Sequence, residues 1–449
     1  MNQPAFEVND AMKSLCLILL CLLFLLSAKA ETIYEKDMAH ALSEIKTHAG
    51  RFFELKGIDW DAVTREMMAD AKSVKSDQDH YILLWRLLAR IKDGHASVKT
   101  TDLTKNIRWI DEKPKGGMGM FWTKIGSDIY VKNAFSVAKD AGVKPRMQVL
   151  SIDGVKVNDW LKRQIAETRD LWSFSTDHQA FFYITHWGLR AEKGSSINVN
   201  LKDTDGEPFT ADIKISDTRQ VPGGPAFMPE PAAGGKYAGD SNLHWCRLAD
   251  GYGYIHVRRC KGNLPEHMDE ALADLSDAPG LIIDWRGNSG GGFDHDALFG
   301  RFIPEGKVTR FGKAYRSFGH NPYGGPIVTI VDATCRSAGE TGSGIFKEDG
   351  RSYLIGESPT AGMSSSKKYI ELPSGKFILR VSVFSNMARF NKGKGLEGGG
   401  VIPHETVVFR PRDLSEQRDT LIIRAVELLK NGFPKSVVPY LPADFGWEE

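Results

Sequence analysis

The sequence predicts a multidomain α/β protein made of an N-terminal helical cap, a β-rich module and a larger α/β domain on an open sheet. Three observations lead there. Between Glu31 and about Thr100 apolar residues recur at helical spacing, as at Tyr81, Leu84, Leu88 and Ile91. From about Gly116 to Ser216 short alternating strands, such as Ile129-Tyr130-Val131 and Ile197 to Leu201, surround turn signals like Asp205-Gly206. From about Asn242 two continuous apolar strands, at Gly280 to Asp284 and Ile327 to Val331, each run into a loop of small residues and then a helix. Sites in open sheets gather at the carboxyl ends of parallel strands, where both loops fall.

A chain of 449 residues suggests about three domains. We divide it into a targeting segment at 1–30, the cap at 31–105, the β-rich module at 106–216, a Pro/Gly/Ala-rich linker at 217–240, the α/β domain at 241–430 and a tail at 431–449. The targeting segment rests on Met12-Lys13, an apolar run from Leu15 to Leu26, and the small residues Ala28 and Ala30. It reads as a secretory signal peptide cut before Glu31, with Met12 as an alternative start. Export to a periplasm or the medium follows, with membrane association where the segment is retained and no stable span once it is cut.

Hydrophobic residues make up 41% of the chain and charged residues 26%, the composition of a globular protein. Lys+Arg of 58 against Asp+Glu of 57 leaves +1, so no global field draws it to nucleic acid. Three cysteines remain after export: Cys246, Cys260 and Cys335. They allow one bridge and leave a thiol over, and the spacing does not choose the pair. No cysteine or histidine spacing reads as a zinc site, and no cofactor is expected.

The chemistry-bearing segments lie in the α/β domain. Asp284-Trp285-Arg286-Gly287-Asn288-Ser289-Gly290-Gly291 ends the first apolar strand in glycines that let backbone N–H groups crowd an anion. Val331 to Glu340 places Ser337 where a strand becomes a helix, with Ala338 and Gly339 beside it. Taken alone, Ser337 with Glu340 is also the pattern of a helix-capping box. Gly356 to Gly362 and Gly395 to Pro403 follow.

In that order these blocks resemble the S41 peptidases, the C-terminal processing or tail-specific proteases, closely over about 242–410. The resemblance implies a ClpP/crotonase-like catalytic domain with Ser337 as nucleophile, and Gly290, Gly291 and Ala338 as oxyanion and substrate contacts. The commonest version of the family carries a lysine base just after the Gly-Glu-containing turn, where Gly362-Met363 stand here; Lys367 and Lys368 come later. Asp93-Gly94-His95 is similar to the Asp-x-His segment of the tricorn-like branch, which implies His95 as general base and Glu397 as its orienting carboxylate. That branch commonly has serine before its histidine, and here the residue is Gly94. His295 is a reserve base. A histidine base implies a rising limb of kcat/KM near an ordinary imidazole pKa, roughly 6 to 7.

The β-rich module, with Gly117-Met118-Gly119-Met120 and Val149 to Gly154, resembles a PDZ domain. That implies capture of a peptide C-terminus on the backbone of Gly117, Met118, Gly119 and Met120. The leading expectation is an exported serine endopeptidase that takes C-termini or unstructured segments of proteins. The alternative is an inactive S41-like binding protein for a peptide or hydrophobic ligand.

Overall fold

The computed structural model describes residues 31–107, 113–220, 224–304, 315–385 and 389–434. The expected signal segment and most of the tail lie outside them. Among the described residues no helix is long and apolar enough to cross a membrane.

The cap is three helices whose starts are written in the sequence. Thr32 forms a capping box with Glu35 ahead of Ile33–Ala49, Asp59 caps Trp60–Ala71 and Ser76 caps Asp77–Arg90. Tyr81, Leu84, Leu88 and Ile91 are all buried in the cap's core. The chain then turns through Asp93-Gly94-His95 into the strand Ser97–Thr100. That strand pairs antiparallel with Phe377–Ser385 from the other end of the chain, and Phe377–Ser385 pairs with Ser365–Glu371. We had placed 365–385 within the open-sheet domain. The structure assigns it to the cap, because Ile370, Phe377, Leu379 and Val381 project into the cap's core. This excursion carries the C-terminal half of the chain to the His95 turn.

The β-rich module is a sheet in the order 120–125, 128–134, 148–152, 196–202, 208–214. Its inner face buries Met120, Trp122, Val131, Val149, Leu201 and Ile213. The helices Val157–Leu171 and Asp177–Thr185 interrupt it and lean toward the cap. The stretch expected as a linker is docked at several points: Thr218 O accepts from Gly117 N (2.8 Å), Ala226 N donates to Asp419 Oδ2 (2.8 Å), and Ala238–Gly239 forms the edge of the large sheet.

That large sheet has seven strands in the order 238–239, 243–247, 253–257, 281–284, 327–331, 353–356, 405–406. Pairing is parallel from 253–257 onward. The central strands are buried throughout, as parallel strands covered on both faces must be. One face packs on the helices Leu264–Leu275, His295–Gly300 and Ala338–Glu348, the other on Thr420–Asn431. Strands 281–284 and 327–331 are neighbours, so their carboxyl-end loops sit side by side. Cys246, Cys260 and Cys335 are all buried free thiols, so the bridge the sequence allowed does not form.

Arg286 anchors the first of those loops. Its guanidinium is fully buried, donates from Nη2 to Asp284 Oδ2 (2.6 Å) and from Nη1 to Asp419 Oδ2 (2.8 Å). Asp419 also caps the last helix through Leu421 N and Ile422 N. Removing Asp419 leaves Asp284 still pairing the guanidinium but strips Nη1 of its charged acceptor, which costs about 1.5–3 kcal/mol. Asp419→Ala is therefore expected to lower stability by about that amount in urea unfolding; a loss below about 1 kcal/mol would show that water reaches the guanidinium.

Candidate active site

Ser337 sits at the end of strand Ile327–Val331 as the N-cap of helix Ala338–Glu348, with φ 58° and ψ −126°. A non-glycine residue in that region is strained by about 1–3 kcal/mol and persists only where its surroundings hold it. Glu340 holds it. Its fully buried carboxylate accepts from Ser337 N (3.0 Å), Met363 N (2.9 Å), Gly362 N (2.7 Å) and Thr360 Oγ1 (2.6 Å). Burial pushes this carboxyl up to about 7, and the four donors oppose the rise. Ser337 and Glu340 do form a capping box. The cap and the presentation of the serine are thus one device.

Gly290 leans against this turn: a Cβ there would lie 2.6 Å from Ser337 Cβ. Its amide, however, donates to Asn288 Oδ1 (2.8 Å), so Gly290 supplies room rather than an oxyanion donor. Asn288 Nδ2 donates to Val257 O (2.9 Å), and its carbonyl accepts from Arg336 N (3.1 Å), which locks the glycine loop to the nucleophile turn. The amides of Gly291 and Ala338 have no acceptor among the described residues. Ala338 follows Ser337 directly and begins a helix, where a backbone N–H favours an anion.

His95 is buried in the turn that leaves the cap. Asp93 Oδ1 accepts from His95 N (2.9 Å), and Asp93 is itself fixed by Ser382 N (2.6 Å) and Ser382 Oγ (2.9 Å). Arg380 Nε donates to His95 O (2.9 Å). The imidazole Nδ1 is buried without a hydrogen-bond partner. Desolvation pushes the ring pKa down to about 3, the Lys367 ammonium adds to that, and Asp93 opposes it. His95 is therefore neutral at neutral pH, the form that can accept a proton. Its neighbour Gly94 and Ser337's neighbour Arg336 line one cavity.

Asp93, His95 and Glu397 offer donor atoms within 4.8 Å of one another, a grouping that no sequence spacing announced. Glu397 is buried, with Lys56 Nζ donating to its Oε1 (2.8 Å). Burial raises its pKa and the Lys56 ammonium opposes the rise. Ser365 Oγ donates to Oε2 (3.1 Å) and Ser175 Oγ to Oε1 (3.2 Å). Ser175 Oγ also accepts from Gly94 N (2.9 Å). A hydroxyl from 81 residues along the chain thus links the Gly94 backbone to Glu397. Neither Ser175 nor Lys56 was found by sequence reasoning, because each lies in an unremarkable local context.

Met363 fills the place of the expected lysine. Gln179 Nε2 lies 3.0 Å from its sulfur, and a Cβ on Gly94 would come within 2.8 Å of the same atom. Of the two later lysines, Lys367 is near enough for its charge to act on His95, while Lys368 is the next residue on the same strand and faces the other way. His295 begins the helix His295–Gly300 against Phe293, and burial lowers its pKa.

The module's expected cradle is already occupied from within the chain. Gly117 N donates to Thr218 O (2.8 Å), Met118 N to Leu189 O (2.8 Å) and Gly119 N to Gln220 Oε1 (3.1 Å), while Gln220 Nε2 donates to Met120 O (2.5 Å). The four residues are buried, and the amides of Gly117, Met118 and Gly119 already have acceptors within the chain. This corrects the carboxylate-donor role expected of Gly117, Met118 and Gly119, whose amides Met120 would need beside its own.

Residues 251–407 match the sequence model of peptidase family S41. This stretch is therefore similar to an S41 peptidase domain. Over 323 residues the chain is 24% identical to the carboxyl-terminal-processing protease of Synechocystis sp., covering 68% of this chain and 65% of that one. Over 107 residues it is 32% identical to a protein of Chlamydia pneumoniae, covering 24% of this chain and 17% of that one. The chain thus spans less than two thirds of either relative. The structure of mature CPAF complexed with lactacystin superposes with a TM-score of 0.63 at 12% identity, over 89% of this chain and 99% of that one, which establishes a shared fold. The likeness extends well beyond the S41-like stretch to the cap and the module.

The packing at Gly94 yields a test. Gly94→Ser, which restores the branch's usual residue, meets Met363 and is expected to cost about 1–3 kcal/mol in urea unfolding. In a Met363→Ala background the same Gly94→Ser change should cost much less than in the wild type, and a neutral single variant would mean that the turn has room after all.

Proposed function

We propose that the chain is an exported serine peptidase whose S41 domain hydrolyses peptide bonds by acyl transfer through Ser337. The observation that carries this is the strained, Glu340-clamped Ser337, whose neighbour Arg336 lines one cavity with Gly94, the neighbour of the neutral His95. A serine hydroxyl is a weak nucleophile until a base takes its proton. In this reading His95 takes the proton as Ser337 Oγ bonds to the substrate carbonyl carbon. The resulting oxyanion lies at the Ala338 and Gly291 amides. Asp93 and Glu397 offset the charge of the imidazolium, the part a third residue plays in a triad. Collapse of the intermediate breaks the C–N bond, and the departing amine takes the proton from His95. Water then repeats the sequence on the acyl-enzyme. Export is supported by the apolar run before Ala30. Substrate proteins enter through the active-site cavity rather than through the occupied cradle of the module.

A fluorophosphonate probe should label wild-type Ser337 and leave Ser337→Ala unlabelled, with the variant folded and devoid of peptide hydrolysis. An unlabelled wild type would favour the ligand-binding alternative.

The pH dependence separates His95 from an ordinary histidine. Its folded-state pKa is depressed from 6.5 to about 3, so the fold keeps its full stability contribution above pH 6.5 and loses it as pH falls toward 3. The acid limb of kcat/KM, which reports the free enzyme, should accordingly lie well below the 6 to 7 expected from the sequence. Lys367→Met removes a charge that lowers the ring pKa and should move this limb upward. A limb that stays put in Lys367→Met excludes His95 as the group it reports.

A further inference from the structure

The cavity shared by Gly94 and Arg336 has a volume of about 250 Å³, and the rest of its wall is largely aromatic. Trp172, Phe174, Tyr183 and Trp187 come from the segment that joins the module's two long helices and from the end of the second. They touch one another: the Tyr183 ring centroid lies 5.2 Å from Phe174, 6.1 Å from Trp172 and 6.1 Å from Trp187. The Arg336 guanidinium stands 5.2 Å over the Trp187 ring. A second cavity of about 620 Å³ shares Trp172, Tyr183 and Trp187 with the first and runs on between cap and module. None of these rings has a part in proton transfer, yet they wall the space beside the nucleophile.

Apolar concavities with few, fixed polar groups are the usual form of a side-chain-recognising pocket, and stacked rings give a large apolar surface at low entropic cost. A cation in the wall adds a repulsive element against a cationic ligand. We infer that this cavity is the primary specificity pocket, taking a large apolar or aromatic side chain of the residue that borders the scissile bond, with Arg336 excluding lysine and arginine. The wider cavity receives the next part of the same extended segment. The inference rests on the acyl-transfer reading for its relation to the scissile bond, while its test does not require turnover.

The test uses full-length Ser337→Ala protein and a fluorescein-labelled alanine–glycine host peptide carrying one guest residue: Phe, Ala or Lys. In fluorescence anisotropy the Phe guest should bind at least about tenfold more tightly than Ala, with Lys weakest, as a filled apolar pocket dictates. Adding Trp187→Ala, or Trp172→Ala, whose ring is 41% exposed and whose loss spares the core, should collapse the Phe/Ala ratio. Equal affinity for the three guests, a preference for Lys, or a Phe/Ala ratio that survives both substitutions overturns the pocket. Fluorophosphonate labelling of the wild type, run in parallel, judges the hydrolytic reading separately: an unlabelled serine refutes that reading, and the guest series still decides the pocket.

Discussion

Four donors converge on the buried Glu340 carboxylate, and the site depends on them. Ser337 N belongs to the nucleophile turn, whereas Thr360, Gly362 and Met363 belong to the segment that leaves strand 353–356. One side chain thereby fixes a strained backbone and the departure point of the hairpin that crosses to the cap. Hydrogen bonds to a charged acceptor contribute about 1.5–3 kcal/mol each, so two suffice to offset the strain at Ser337. The desolvation that raises the Glu340 pKa is the cost of placing that clamp in the core.

From this clamp the chain brings distant segments together. His95 stands at the end of the cap, Ser175 between the module's helices, and Glu397 near the end of the S41-like stretch, yet all meet in one buried cluster. Strand 377–385 makes the meeting possible, since Ser382 holds Asp93 and Arg380 holds the His95 carbonyl. Lys56, also from the cap, closes the far side of Glu397. A carboxylate with an ammonium on one oxygen and serine hydroxyls on both is fixed in orientation, which is what the proposed general base would require of its partner.

Signals local in sequence were legible, and those made by tertiary contact were not. Caps at Thr32, Asp59 and Ser76, the 3.6-residue period of the third helix and the apolar runs at 281–284 and 327–331 each state their element within ten residues or so, because hydrogen bonding and burial act locally there. The resemblance singled out Ser337, His95 and Glu397, and its motifs are local too. Ser175, Lys56 and the exchange of a lysine for Met363 against Gly94 are pairings across the fold, and no period or cap marks them. The depressed His95 pKa was equally invisible, since burial and the Lys367 charge arise only when strand 365–371 is in place. The hairpin 365–385 was misassigned for a related reason: alternating strands do not say which core they face.

The occupied cradle changes how the module has to be understood. Gln220 places an amide oxygen on Gly119 N and returns its own N–H to Met120 O, a reciprocal pair that satisfies the loop's polar groups without a ligand. Gln220 is only 2% exposed, so displacing it means unpacking it and leaving buried donors unpaired until a carboxylate arrives. A module closed in this way is a wall more than a mouth. Its helices and the segment between them instead place aromatic side chains in a cavity that Arg336 also lines, with the Arg336 guanidinium over one of those rings. In the proposed pocket, recognition is displaced from backbone amides to an apolar surface near the serine, which would read the side chains of a segment rather than the charge of its end.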